Sequence, residues 1–185
     1  MLDSHSVTQD EGKKNALVES CFDWVGAATI ALCVVALVFS MFFRVVNVSG
    51  DSMTNTLQNG ERLLLTSTYS DLKYGDIVVI RREGATPLIK RVIGLPGDTI
   101  FINGGEKRVY RNGERLTEPY VRGEDTPQRG LESAYTVPED GIFVLGDNRS
   151  DSLDSRELKD QIKLKDVVGV VTYRLSPFES LRNGE

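Results

Sequence analysis

The sequence predicts a mainly β protein: a single N-terminal transmembrane helix followed by a domain of coiled antiparallel β-sheets. Three features carry this expectation. Residues 24–43 bear no formal charge and are mostly Ala, Val, Leu, Ile and Phe. From residue 45 onward, short apolar segments recur between Gly- and Pro-containing turns, the pattern of strands that close into packed sheets. One of these segments ends in Asn112-Gly113, the dipeptide that two-residue hairpins favour.

A chain of 185 residues suits one domain plus an appendage. The net charge of -5 and pI near 5.1 argue against a nucleic-acid partner, which selects a basic face. The one histidine, His5, precedes the apolar run, and the two cysteines, Cys21 and Cys33, lie just before and within it. This excludes a disulfide framework and a Cys/His zinc site, and no metal or cofactor is expected. By composition, chemistry in the main domain must rest on Ser, Thr, Lys, Tyr, carboxylates or an oxygen-bound metal, the last not being among the expected groups.

In chain order, residues 1–23 form a polar tail of mixed charge, expected to be loosely ordered over roughly its first 20 positions. As a helix, residues 24–43 span about 30 Å, the thickness of a bilayer's hydrocarbon core. Trp24 at one end and Phe42, Phe43 and Arg44 at the other suit the two interfaces. A cleavable leader would have a shorter apolar stretch ending in small residues. An uncleaved anchor is expected instead, in a single-pass cell-membrane protein. Its short tail would be cytoplasmic and residues 44–185 extracytoplasmic.

Strands are expected at 45–48, 62–66, 76–80, 88–93, 99–102, 108–111, 142–145 and 167–173. Residues 120–134 read as an exposed loop, and one short helix is expected within 155–165.

Three segments could carry chemistry. Ser49-Gly-Asp-Ser-Met-Thr-Asn-Thr-Leu57 is a hydroxyl-rich turn just past the apolar run; by itself it is an ordinary polar loop. In Leu88-Ile-Lys-Arg-Val-Ile93, strand alternation places Lys90 on one face with Leu88 and Val92. A surface lysine with its stem along the sheet is the ordinary reading. The other is a general base: burial lowers a lysine pKa by up to about 3–5 units, and with no histidine in the domain such an amine could activate a serine. The third segment, Gly146 to Arg156, is rich in acids and arginines. It fails as a calcium loop because Arg149 stands where an oxygen ligand is required, and a solvated turn is its plain alternative.

Together the three segments resemble the type I signal peptidases, membrane-anchored serine proteases with a Ser/Lys dyad, in their short single-anchor Gram-positive-like form. Residues 49–57 look like the nucleophile box, 90–98 like the lysine box and 146–156 like the third box, in the family's order. The resemblance implies Ser52 as nucleophile and Lys90 as base. It implies Ser152 as the hydroxyl that orients the lysine, and Asp154, Arg156 and Arg91 as a supporting ion-pair network. Asn55 stands where the family usually has Pro, and Gly50 where some members have a serine. The oxyanion would then rely on the Ser52 N–H, with help from Ser49. Val48, Met53, Leu57 and Ile89 are candidate walls of shallow pockets for small side chains such as Ala.

The expected reaction is removal of signal peptides from exported precursors by a monomer at the bilayer surface. Two alternatives remain at this stage: a membrane-anchored β-domain that binds exported or pilin-like proteins without cleaving them, and a protease of the same fold with a narrow set of partners.

Overall fold

The computed structural model describes residues 4–67, 71–123, 125–158 and 162–181, which form two compact units that meet in sequence between Phe42 and Phe43. Residues 1–3 of the expected tail, 124 of the expected loop and 159–161 of the expected helix lie outside the described residues.

The first unit is one helix, α1 (Ser4–Phe42). Its stretch Ser20–Phe42, 23 residues long, is apolar enough to cross a membrane. The helix corrects the expectation of a loosely ordered tail. No proline occurs before residue 43 to interrupt it. Extending an existing helix also avoids the cost of nucleating a new one.

In the second unit the β-branched residues from Val45 onward replace helix by strand. The strands are β1 (Phe43–Asn47), β2 (Arg62–Thr66), β3 (Ile77–Arg82), β4 (Ala85–Gly94), β5 (Thr99–Asn103), β6 (Arg108–Arg111), β7 (Glu114–Arg115), β8 (Tyr135–Thr136), β9 (Phe143–Leu145), β10 (Val167–Leu175) and β11 (Phe178–Ser180). A short helix, α2 (Ser155–Leu158), and a 3-10 turn (Leu164–Asp166) lie between β9 and β10. The expected mainly β fold is borne out, and every expected strand is found to within a few residues.

All named pairings are antiparallel. The larger sheet runs β1-β2-β10-β3-β4-β9, with β11 paired to β10; the smaller runs β7-β6-β5-β8. Asn112 and Gly113 both take positive φ, 53° and 83°, which gives the β6–β7 hairpin the turn that matches strand twist.

Three apolar clusters hold the domain. One packs Val48, Met53 and Leu57 onto Leu63, Leu65, Ile77, Val79 and Val171, so the residues flanking Ser52 are themselves core. A second lies among β3, β4, β9 and β10. The third joins the smaller sheet to Ile93, Phe143 and Leu145.

The segment 120–134 is a largely exposed loop, as expected from its composition, but it is tied down at several points. Thr126 and Leu131 are buried, the Tyr120 ring stacks on the Arg91 guanidinium at 4.0 Å, and the Arg122 N–H donates to the Asp147 carbonyl. Its polar residues find partners in the 146–156 loop, which is why a polar sequence is compatible with burial.

Candidate active site

The turn holding Ser52 is fastened at both ends. Val48 and Gly60 bond to Glu61 and Val48 across its base, the Leu57 N–H donates to the Met53 carbonyl, and Met53 and Leu57 are fully buried. Gly50, at φ 91°, supplies the left-handed residue that reverses the chain. Its N–H donates to Asn59 Oδ1.

Lys90 lies opposite. Its strand is covered on both faces over its C-terminal half, so Lys90 is 2% exposed and Arg91 beside it 4%. Alternation then sends the two side chains to different neighbours. Lys90 Nζ comes within 2.6 Å of Ser52 Oγ and 3.0 Å of the Ile89 carbonyl. Burial is the main influence on its amine and pushes the pKa down to about 8, against the opposing pull of Asp154 and Asp147. At neutral pH such a lysine is unprotonated in a sizeable fraction of molecules, compared with about 4 in 10,000 at the reference value.

Ser52 and Lys90 open into a cleft of about 570 Å³. One wall is the end of β1 and the turn after it, the other is residues 85–90 of β4, and Val79 and Val168 lie at its floor. Val48, Met53 and Ile89 line it as expected of pocket walls. Leu57 does not: it is fully buried in the core beneath, because the turn's closing bond directs it inward. Ser49 is on the rim, and the Ser52 N–H has no protein acceptor among the described residues.

The third segment departs from expectation in two ways. The Ser152 hydroxyl is buried but makes no hydrogen bond, to Lys90 or to any described residue; the contacts of the lysine amine are with Ser52 Oγ and the Ile89 carbonyl. Arg91, moreover, does not join Asp154. Its guanidinium forms a two-pronged pair with Asp147, at 2.9 and 2.7 Å, and also donates to the Gly75 carbonyl and to Thr56 Oγ1. Among the described residues Asp154 pairs with Arg156, through two contacts of 2.8 Å, and accepts from the Gly146 N–H. The register explains the split: Arg91 lies beside Leu145 on β9, two residues before Asp147, whereas Asp154 is further along the loop.

Several residues of the site were not assigned a role from sequence. Thr56 donates to Asp147 at 2.5 Å. The Asn148 N–H donates to the Ser52 carbonyl, and its side chain to that of Asp51. Arg149, fully buried, pairs with Glu118 and Thr126. The signal was present in the segment itself: its four buried arginine and acid side chains, Asp147, Arg149, Asp154 and Arg156, cannot be left unpaired, so those not paired within the loop had to find partners elsewhere in the chain. Among the described residues no cluster of His, Cys, Asp and Glu is placed to hold a metal.

A spanning-length helix leading into a β-domain, with a serine and a desolvated lysine sharing one cleft, is the arrangement of a membrane-anchored serine hydrolase. Residues 21–176 match the family described as signal peptidase, peptidase S26. The chain is 36% identical to signal peptidase I P of Bacillus subtilis subsp. natto, across 96% of this chain and 98% of that one. It is 36% identical to a signal peptidase I of Bacillus licheniformis, across 92% and 94%. A solved signal peptidase I from Enterococcus faecalis V583 superposes with a TM-score of 0.48 at 31% identity, covering 57% of this chain and all of that one. The protein belongs to the signal peptidase family, peptidase S26, and is a membrane-anchored serine endopeptidase.

Proposed function

We propose that this chain removes signal peptides from exported precursors with Ser52 as nucleophile and Lys90 as general base. The observation that carries the reading is the 2.6 Å contact between Lys90 Nζ and Ser52 Oγ in an apolar cleft. Neutral Lys90 takes the Ser52 proton as Oγ attacks the scissile carbonyl. The Ser52 N–H, for which no protein acceptor is found among the described residues, is the donor for the developing oxyanion. The protonated lysine then gives its proton to the departing amine. Water, deprotonated by Lys90, hydrolyses the acyl-enzyme and restores the serine.

Asp154 with Arg156, and Asp147 with Arg91 and Thr56, hold the 146–156 loop against the dyad. The Ser152 hydroxyl, buried and without a partner, is a spare hydrogen-bonding group for the lysine once its contact with Ser52 is broken. Val48, Met53 and Ile89 bound the room for small side chains before the cut.

The helix 20–42 lies across the bilayer with the short N-terminal segment in the cytoplasm and the β-domain, as a monomer, on the outer side. Enzyme and membrane-held precursor then meet in two dimensions, which raises their effective concentration. The test is cleavage of a precursor with an Ala-x-Ala site by the full chain in detergent. The wild type should cut at that site, and Ser52→Ala and Lys90→Met should each lose at least about 1,000-fold in kcat/KM. A wild type that binds the precursor uncut, or a Lys90→Met that keeps its rate, would remove the dyad.

A further inference from the structure

Strand β10 is irregular where it crosses β2. Val171 faces Leu65, Tyr173 faces Leu64 and Arg174 faces Leu63, which leaves Thr172 over as a bulge. One extra residue sends every later side chain to the opposite face of the strand. Uninterrupted alternation would separate Arg174 from Val171. With the bulge, Arg174 shares the face of Val171, Leu63 and Leu65, all essentially buried in the cluster that also holds Met53 and Leu57.

An arginine aimed at an apolar cluster needs partners. Arg174, its side chain 15% exposed, has Glu61 at 3.3 Å and Glu179 of β11 at 3.4 Å. Its Nη2 donates to the Thr56 carbonyl at 2.5 Å, across 118 positions of sequence. Thr56 is where the Ser52 turn re-enters the core. The other outside grips on that turn come from the 146–156 loop, where Asn148 holds the Ser52 and Asp51 carbonyls and Asp147 the Thr56 hydroxyl, and from β4, where Arg91 also reaches the Thr56 hydroxyl and Lys90 the Ser52 hydroxyl. Asn55 lacks the ring that would fix φ within the turn, so its course depends on these grips.

We propose that Arg174 is a positioning residue for Ser52: the bulge at Thr172 turns it inward to clamp the Thr56 carbonyl, and this clamp holds the serine in register with Lys90. The inference rests on the Ser52/Lys90 reading. The clamped residue, Thr56, does not itself line the substrate cleft, and the facing wall, residues 85–90 of β4, is not held by the clamp, so its release falls mainly on the placement of Ser52. Displacing a reacting group by about 1 Å costs on the order of 100-fold in rate.

The experiment measures kcat, KM and thermal midpoint for the full chain in detergent with an Ala-x-Ala precursor. It compares wild type, Ser52→Ala, Arg174→Gln, Arg174→Lys, and Val109→Ala in the core of the smaller sheet as a stability control. Arg174→Gln should lose about 10- to 100-fold in kcat with KM within about twofold. Arg174→Lys should recover part of the loss, and Val109→Ala should keep its kcat at any temperature where it is folded. The inference is overturned if Arg174→Gln keeps kcat within about twofold, if only its KM moves, or if Val109→Ala at a matched midpoint loses as much. Should Arg174→Gln not fold, Arg174→Lys decides: unchanged kcat overturns the clamp, and reduced kcat at constant KM supports it. A wild type that does not cut defeats the dyad reading itself, and the clamp with it.

Discussion

Lys90 carries a cost that its chemistry explains. Its folded pKa, about 8, lies below the roughly 10.4 of an unfolded lysine, so the fold disfavours the charged amine. The unfolded chain binds more protons between these values, and stability rises with pH across that window. Below pH 8 the penalty is fully present, and above about 10.4 it is gone. Replacing Lys90 by Met is therefore expected to stabilise the domain by about 3 kcal/mol at pH 7, at about 1.4 kcal/mol per unit. The gain should shrink towards zero by pH 10.5, as read by denaturant titration at the two pH values. The same pKa sets the activity profile: kcat/KM should climb with pH through about 8 with the slope of one proton and then level. A profile that is flat from pH 6 to 10 would mean Lys90 is not the base.

At the scale of elements, the site is a meeting of two loops, and its tightest point is Gly146. A methyl group there would lie 2.5 Å from the Ser52 carbonyl oxygen and 2.6 Å from the Ser152 Cβ. Neither neighbour can yield without moving the serine or the 146–156 loop. Gly146→Ala is expected to lower kcat by about 100-fold and to destabilise by about 1–3 kcal/mol, measured by cleavage assay and denaturant midpoint. Gly113 is the contrast. It has positive φ in the β6–β7 turn and no neighbour within 4 Å, so Gly113→Ala should cost about 1 kcal/mol through backbone strain and leave kcat unchanged. Equal effects of the two substitutions on kcat would remove the close-approach argument.

For the whole molecule, the anchor makes the prediction. A helix of spanning length at residues 20–42 should keep the protein with membranes through alkaline extraction. Protease added outside intact cells stripped of their wall should digest the β-domain and spare an N-terminal tag; digestion of the tag alone would reverse the proposed orientation. The anchor and the strand positions of the β-domain were legible in local pattern, because charge-free length and apolar segments between turns are properties of contiguous residues. Ser52, Lys90 and the 146–156 loop could be singled out by composition and by family resemblance for the same reason. What lay beyond reach was pairing. Arg91 with Asp147, Arg149 with Glu118, the ties between segment 120–134 and the 146–156 loop, and the inward turn of Arg174 each join residues far apart in the chain. The sequence by itself determined which segments become helix and strand, since periodicity and turn chemistry act over a few residues. Only the tertiary structure decided which arginine meets which acid, and that Lys90 sits dry against Ser52, because burial and charge pairing depend on what the coiled sheets bring together.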